Sequence, residues 1–202
     1  RPTATVETKE DISMKKFFAL MLAAVMALSL VACGSSNDAK DDQSGDKPAE
    51  ITSALGILET AWNDYGDDEK FSVVGGETGE NMVEDAPADY DLSDRATAEA
   101  NLALPETAQV DQAATLSHAL NPNTFTAAAY HATGDAKELA SSLRDSIQQH
   151  HWMCGFPEKV VVAVRGEYVV TVVGAEDLVD AFASRLNGIF GMELAYDEAM
   201  QA

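Results

Sequence analysis

Apolar residues recur in steps of three and four at Ile51, Leu55, Leu58, Trp62 and Tyr65, directly before Gly66, which predicts a helix over 51–65 with one buried face. Residues 71–74 are a short strand ending at Gly75-Gly76. From 77 to 101 the chain is acidic and lacks an apolar period, so a long surface excursion is expected, with a brief helical turn after Ser93. Residues 105–120 read as a further helix stopped by Asn121-Pro122. The C-terminal third has the strongest pattern. A strand over 124–132 is followed by Gly134-Asp135, where Asp135 and Glu138 form a capping-box pattern, and Leu139, Leu143 and Ile147 then mark one helix face. Residues 159–164 and 168–173 are Val-rich strands separated by Arg165-Gly166-Glu167, a hairpin. A last helix runs from Glu176 to Gly191 with Leu178, Phe182, Leu186 and Ile189 inward. Strand, helix, strand, strand, helix predicts an α+β fold. Its small open sheet is built by a crossover and a hairpin, its helices pack on one face, and a helical N-terminal part precedes it.

The N-terminal stretch is patterned for export. After residues 1–13, an upstream extension without apolar period, Met14, Lys15 and Lys16 precede an unbroken apolar run from Phe17 to Val31, the order of a secretory signal over 14–32. Leu30-Val31-Ala32-Cys33-Gly34 resembles the lipobox of bacterial lipoproteins. The resemblance implies cleavage before Cys33 and diacylation of its thiol, hence a chain held at the cell membrane on its extracytoplasmic face, since two acyl chains give stable anchoring. Residues 33–49 are polar and acidic, a flexible tether. A single domain is expected over 50–191, with 192–202 as a tail.

Charge narrows the partners. The 202 residues carry a net charge of −21, and the first 32 hold four basic against three acidic residues, which leaves −22 beyond Ala32. Such a surface repels phosphate backbones, so no nucleic-acid partner is expected. The membrane, through lipid on Cys33, is the first partner; an envelope protein, a wall component or a small solute are the others. With Cys33 lipidated, Cys154 has no intrachain partner and the fold is not stapled.

Within 121–186, three strings stand out: Asn121-Pro122-Asn123-Thr124-Phe125 before the first strand, Trp152-Met153-Cys154-Gly155-Phe156-Pro157 between helix and strand, and Gly166-Glu167-Tyr168-Val169-Val170 in the hairpin. This stretch resembles a family of uncharacterised lipoproteins from Gram-positive anaerobes, a domain of unknown function. The resemblance implies a domain that recurs behind lipoprotein signals and carries over no catalytic residue.

Candidate chemistry centres on His150-His151-Trp152-Met153-Cys154. Two histidines and a thiol at a helix end are donors for a borderline metal, with His118 or His131 as a fourth. Adjacent helical residues point about 100° apart, however, so both histidines reach one ion only if the helix unwinds. No paired CxxC and no HExxH is present, so no metal is assigned. Cys154 as nucleophile is the enzyme reading; it lacks a second cysteine for dithiol exchange and a pattern that singles out a base. In the acidic stretch, an EF-hand counted from Asp89 through Tyr90 and Asp91 would need Gly at the sixth position and Glu at the twelfth, where Asp94 and Ala100 stand. Gly75-Gly76 with Gly79 is no phosphate loop, because no Lys comes after it. With neither catalytic constellation nor cofactor motif, the chain reads as a non-catalytic binding or interaction module. Its candidate patch is Trp152, Met153, Cys154 and Phe156. The alternative is a cysteine-dependent enzyme or metal-binding protein centred on Cys154, His150 and His151.

Overall fold

The computed structural model describes residues 47–201 apart from 78, 80 and 154. The signal segment, the Leu30 to Cys33 motif and the lipidation site lie outside the described residues, as does Cys154. Helix α1 (Ala54–Asn63) starts at Ser53, whose hydroxyl accepts from Gly56 N–H at 2.9 Å. It is followed by β1 (Val73–Gly75), β2 (Val83–Glu84), β3 (Ala88–Asp89) and α2 (Arg95–Leu102), the last capped by Asp94. Then come β4 (Val110–His118), β5 (Phe125–Ala132), α3 (Ala136–Gln149), β6 (Lys159–Arg165), β7 (Tyr168–Gly174), α4 (Glu176–Phe190) and β8 (Glu193–Ala199). Asp135 caps α3 as predicted, accepting from Lys137 and Glu138 N–H. At α4 the cap comes from elsewhere: Glu158 accepts from Glu176 N–H at 3.0 Å.

The strands form one antiparallel sheet in the order β2-β1-β4-β5-β7-β6-β8, with β3 continuing β1 along the outer edge of β4. The α+β class and the open sheet thus stand, but the helices do not share a face. Alternate residues of the central strands divide between two cores. Phe125, Ala127, Ala129, Val161, Ala163, Val170 and Val172 pack with α1 and α4. Ala128, Tyr130, Ala132, Val160, Val162, Val169 and Val173 pack with α2 and α3. The reason is topological. From β5 to β6 and from β7 to β8 the chain skips one strand in the same direction across the sheet, but β5 and β7 run antiparallel. Crossovers of one hand, starting from opposed strands and moving the same way, must place their helices on opposite faces.

Two further expectations are corrected. Residues 105–120 are no helix: β4 occupies most of that stretch, with Ala113 to Leu116 all buried. Two helical layers press on this strand, and small side chains that favour a helix in isolation are what fits between them. Residues 192–202 are no free tail, because β8 pairs along β6. Its side chains are mostly exposed, and it is held by Arg144, which donates to both Glu198 carboxylate oxygens at 2.7 and 2.9 Å, and by Lys159 against Asp197 at 2.8 Å. In α4 the buried face is Val179, Phe182, Ala183, Leu186 and Phe190, so Leu178 and Ile189 sit at its margin. The excursion over 77–101 is more built than expected, since it contributes β2, β3 and α2 and buries Tyr90 and Ala98.

Candidate functional site: a groove on the second face

The β-sheet pairing sets the floor. Thr115, Ala128 and Thr171 stand side by side across β4, β5 and β7, and Ser117, Thr126 and Val173 form the next rung. One rung in the other direction are Ala113, Tyr130 and Val169, with Tyr130 fully buried. The fall in side-chain volume along β5, from Tyr130 to Ala128 and Thr126, leaves a groove of about 390 Å³. That volume is at the lower end of small-ligand sites.

One wall is the end of α3 and the first residues of the α3–β6 connection: Ile147, His150, His151, Trp152 and Met153. The opposite wall is Tyr90, Asn101 and Leu102 with Gly76, Glu77 and Met82. Gly76 has φ +80, and a side chain there would meet Asn81 O at 2.6 Å. Only glycine brings the backbone this close, and Thr115 Oγ1 then accepts from Gly76 N–H at 2.9 Å and donates to Gly76 O at 3.1 Å. The β4–β5 connection closes one end. There Asn123 Nδ2 donates to Met153 O and Gly155 O, at 2.5 and 2.8 Å, and fixes the wall to the floor. Thr126 Oγ1 lies 2.9 Å from Ser117 Oγ and 3.0 Å from Pro122 O.

Exposed apolar side chains gather around this groove. Met82 (42% exposed) and Met153 (74%) line it, and Leu120 and Phe156 flank the connections that close it. Trp152 is half-buried and meets His150 edge to face at 4.8 Å. Burial holds the His150 imidazole below its ordinary pKa, with His151 adding to the effect. Tyr90 is buried, its hydroxyl accepts from Asn101 Nδ2 at 3.1 Å, and burial raises its pKa.

Of the sequence-predicted patch, Trp152 and Met153 line the groove, Phe156 is half exposed beside it, and Cys154 lies outside the described residues. The histidines are not brought together as a set. His118 Nδ1 accepts from Leu120 and Asn121 N–H, and its ring stacks on Phe71. His131 is at the other end of β5, with Nδ1 2.5 Å from Asp111 and Nε2 3.6 Å from Glu167. Among the described residues no group of three or more His, Cys, Asp or Glu side chains could hold a metal ion. Of the acidic residues weighed for calcium, Asp89 and Asp91 line a separate shallow cleft with Asp111, and Asp94 caps α2.

The floor residues Thr115, Thr126 and Thr171, the wall residue Tyr90 and the clamp Asn123 are not legible as site residues in the sequence. One signal points to them. Thr171 interrupts Val169-Val170 and Val172-Val173, and a hydroxyl in a strand buried on both faces marks a place where packing is incomplete or a polar partner waits. Among the described residues no helix is long and apolar enough to cross a membrane. The chain matches no protein-family model, no curated protein and no solved structure.

Proposed function

We propose that the chain is an extracytoplasmic lipoprotein, held at the membrane through Cys33, whose domain binds a small molecule in the groove over β4, β5 and β7. The groove carries the binding half of this reading. It is concave, walled by aromatic and aliphatic side chains, and floored by a few polar groups at fixed positions, the form expected of a small-ligand site. A protein partner would be met by a flatter surface, so among the partners weighed from the sequence the small solute is favoured. The Leu30 to Cys33 motif supports the address.

Ligand-observed NMR with a set of neutral and charged aromatic fragments tests the binding. Thr126→Leu, which puts a larger side chain on the floor, should abolish the fragment contacts while the circular dichroism spectrum is unchanged; fragments that bind this variant as well as the wild type would remove the groove from consideration. Mass spectrometry tests the address. Membrane-extracted protein should give an N-terminal peptide starting at Cys33 with two acyl chains, and an uncut chain with unmodified Cys33 would refute it.

A further inference from the structure

We infer that the groove selects a cationic ligand with a flat apolar body, an aryl compound bearing an ammonium group. This rests on the groove being a ligand site, and three independent features of the lining point to the charge. First, no lysine or arginine is among the described lining residues, and the one carboxylate there is Glu77, next to Gly76. An anion entering would leave water with no opposite charge to meet it, which is costly, whereas a cation meets Glu77. Second, committed protons leave lone pairs on the floor of the groove, although the buried Trp152 Nε1–H in its wall has no partner among the described residues and remains a donor. Thr115 donates to Gly76 O, Thr126 has Ser117 Oγ and Pro122 O within reach, and both protons of Asn123 Nδ2 go to Met153 O and Gly155 O. With those protons committed inside the fold, the oxygens of these groups remain as acceptors, the complement of an ammonium donor. Third, Trp152 and Tyr90 stand in opposite walls, and electron-rich indole and phenol rings attract cations. Met82 and Met153 at the rim match the apolar body. Burial holds the His150 imidazole below its ordinary pKa, which disfavours a competing positive charge in that wall. The chain's net charge of −21 raises the local concentration of cations over anions.

Isothermal titration of the full-length protein in detergent, with 1-naphthylmethylammonium, 1-naphthylmethanol and 1-naphthoate as matched probes, decides the matter. The ammonium should bind at least about tenfold tighter than the carboxylate, a difference of about 1.4 kcal/mol, with the alcohol between them. Glu77→Gln should reduce the preference of ammonium over alcohol. Equal or tighter binding of the carboxylate, or an ammonium no better than the alcohol, overturns the charge class while leaving the groove as a ligand site. Binding of none of the three removes the groove as a site for such ligands and this proposal with it.

Discussion

Two side chains show how local surroundings decide what a residue contributes. Tyr65 is buried against Trp62 and Phe182, and the Arg185 guanidinium lies 3.6 Å over its ring, but its buried hydroxyl has no hydrogen-bond partner among the described residues. Burial pushes its pKa up to about 12, partly offset by Arg185. The ring is what the core uses. Because an unsatisfied buried hydroxyl costs roughly 1–3 kcal/mol, Tyr65→Phe is expected to leave stability unchanged or raise it by about 1 kcal/mol in urea unfolding; a loss of that size would mean that the hydroxyl has a partner in solution. His131 behaves differently. Its hydrogen bond to Asp111, aided by Glu167, raises the imidazole pKa above the ordinary value. A raised pKa means that the folded state binds the proton more tightly than the unfolded chain, so this stabilisation is complete below the unfolded value of about 6.5 and fades as pH rises through the folded value. The urea-midpoint difference between wild type and His131→Gln should therefore be larger at about pH 6 than at about pH 8. A difference independent of pH would refute the assignment.

At the scale of elements, legibility depends on burial on one face or two. Helices α1, α3 and α4 are readable because each hides one stripe and shows another, and the β6–β7 hairpin is readable because seven-residue Val-rich strands flank Gly166. Strand β4 reads as a helix because Ala113 and Ala114 are small for a strand and good for a helix; only the layers on both sides explain them. The groove is legible at Trp152 and Met153, whose exposed apolar character shows in the sequence, but not at Thr115 or Thr171, which become neighbours of Ala128 only through strand pairing. Strand β8 is hidden for the opposite reason to β4, since Glu193, Asp197 and Glu198 give it no apolar alternation. Its charges protect the sheet edge from pairing with other chains. Removing residues 193–202 would expose β6, whose Val160 to Val164 is an apolar edge, and would strip Arg144 and Lys159 of partners on β8. The truncated protein should melt at a lower temperature and scatter light on heating. An unchanged melt without aggregation would show that β8 adds nothing.

At the scale of the whole domain, the groove opens from the middle of the sheet toward the end away from the first described residues. The first described residues are tied to the end of α4. Ala49 N–H donates to Ile189 O at 2.9 Å, and Arg165 Nη1 donates to Ala49 O at 2.8 Å and to Phe190 O. Arg165 closes β6, while Lys159 opens this seven-residue strand at its other end, where Thr126 and Val173 pair and the groove lies. At about 3.3 Å per residue the groove, which runs from the Thr171 rung opposite Val162 to the Lys159 end, lies about 10 to 20 Å from Arg165. If lipid on Cys33 holds the protein through the segment before Ala49, ligand access should not depend on the anchor. The affinity for 1-naphthylmethylammonium is then expected to agree within about twofold, less than about 0.5 kcal/mol, between lipidated protein on phosphatidylcholine vesicles and the same protein in detergent. The separation along β6 predicts the agreement; a loss of affinity on vesicles much beyond that range would place the groove against the bilayer and reverse the orientation argued from Ala49 and Arg165.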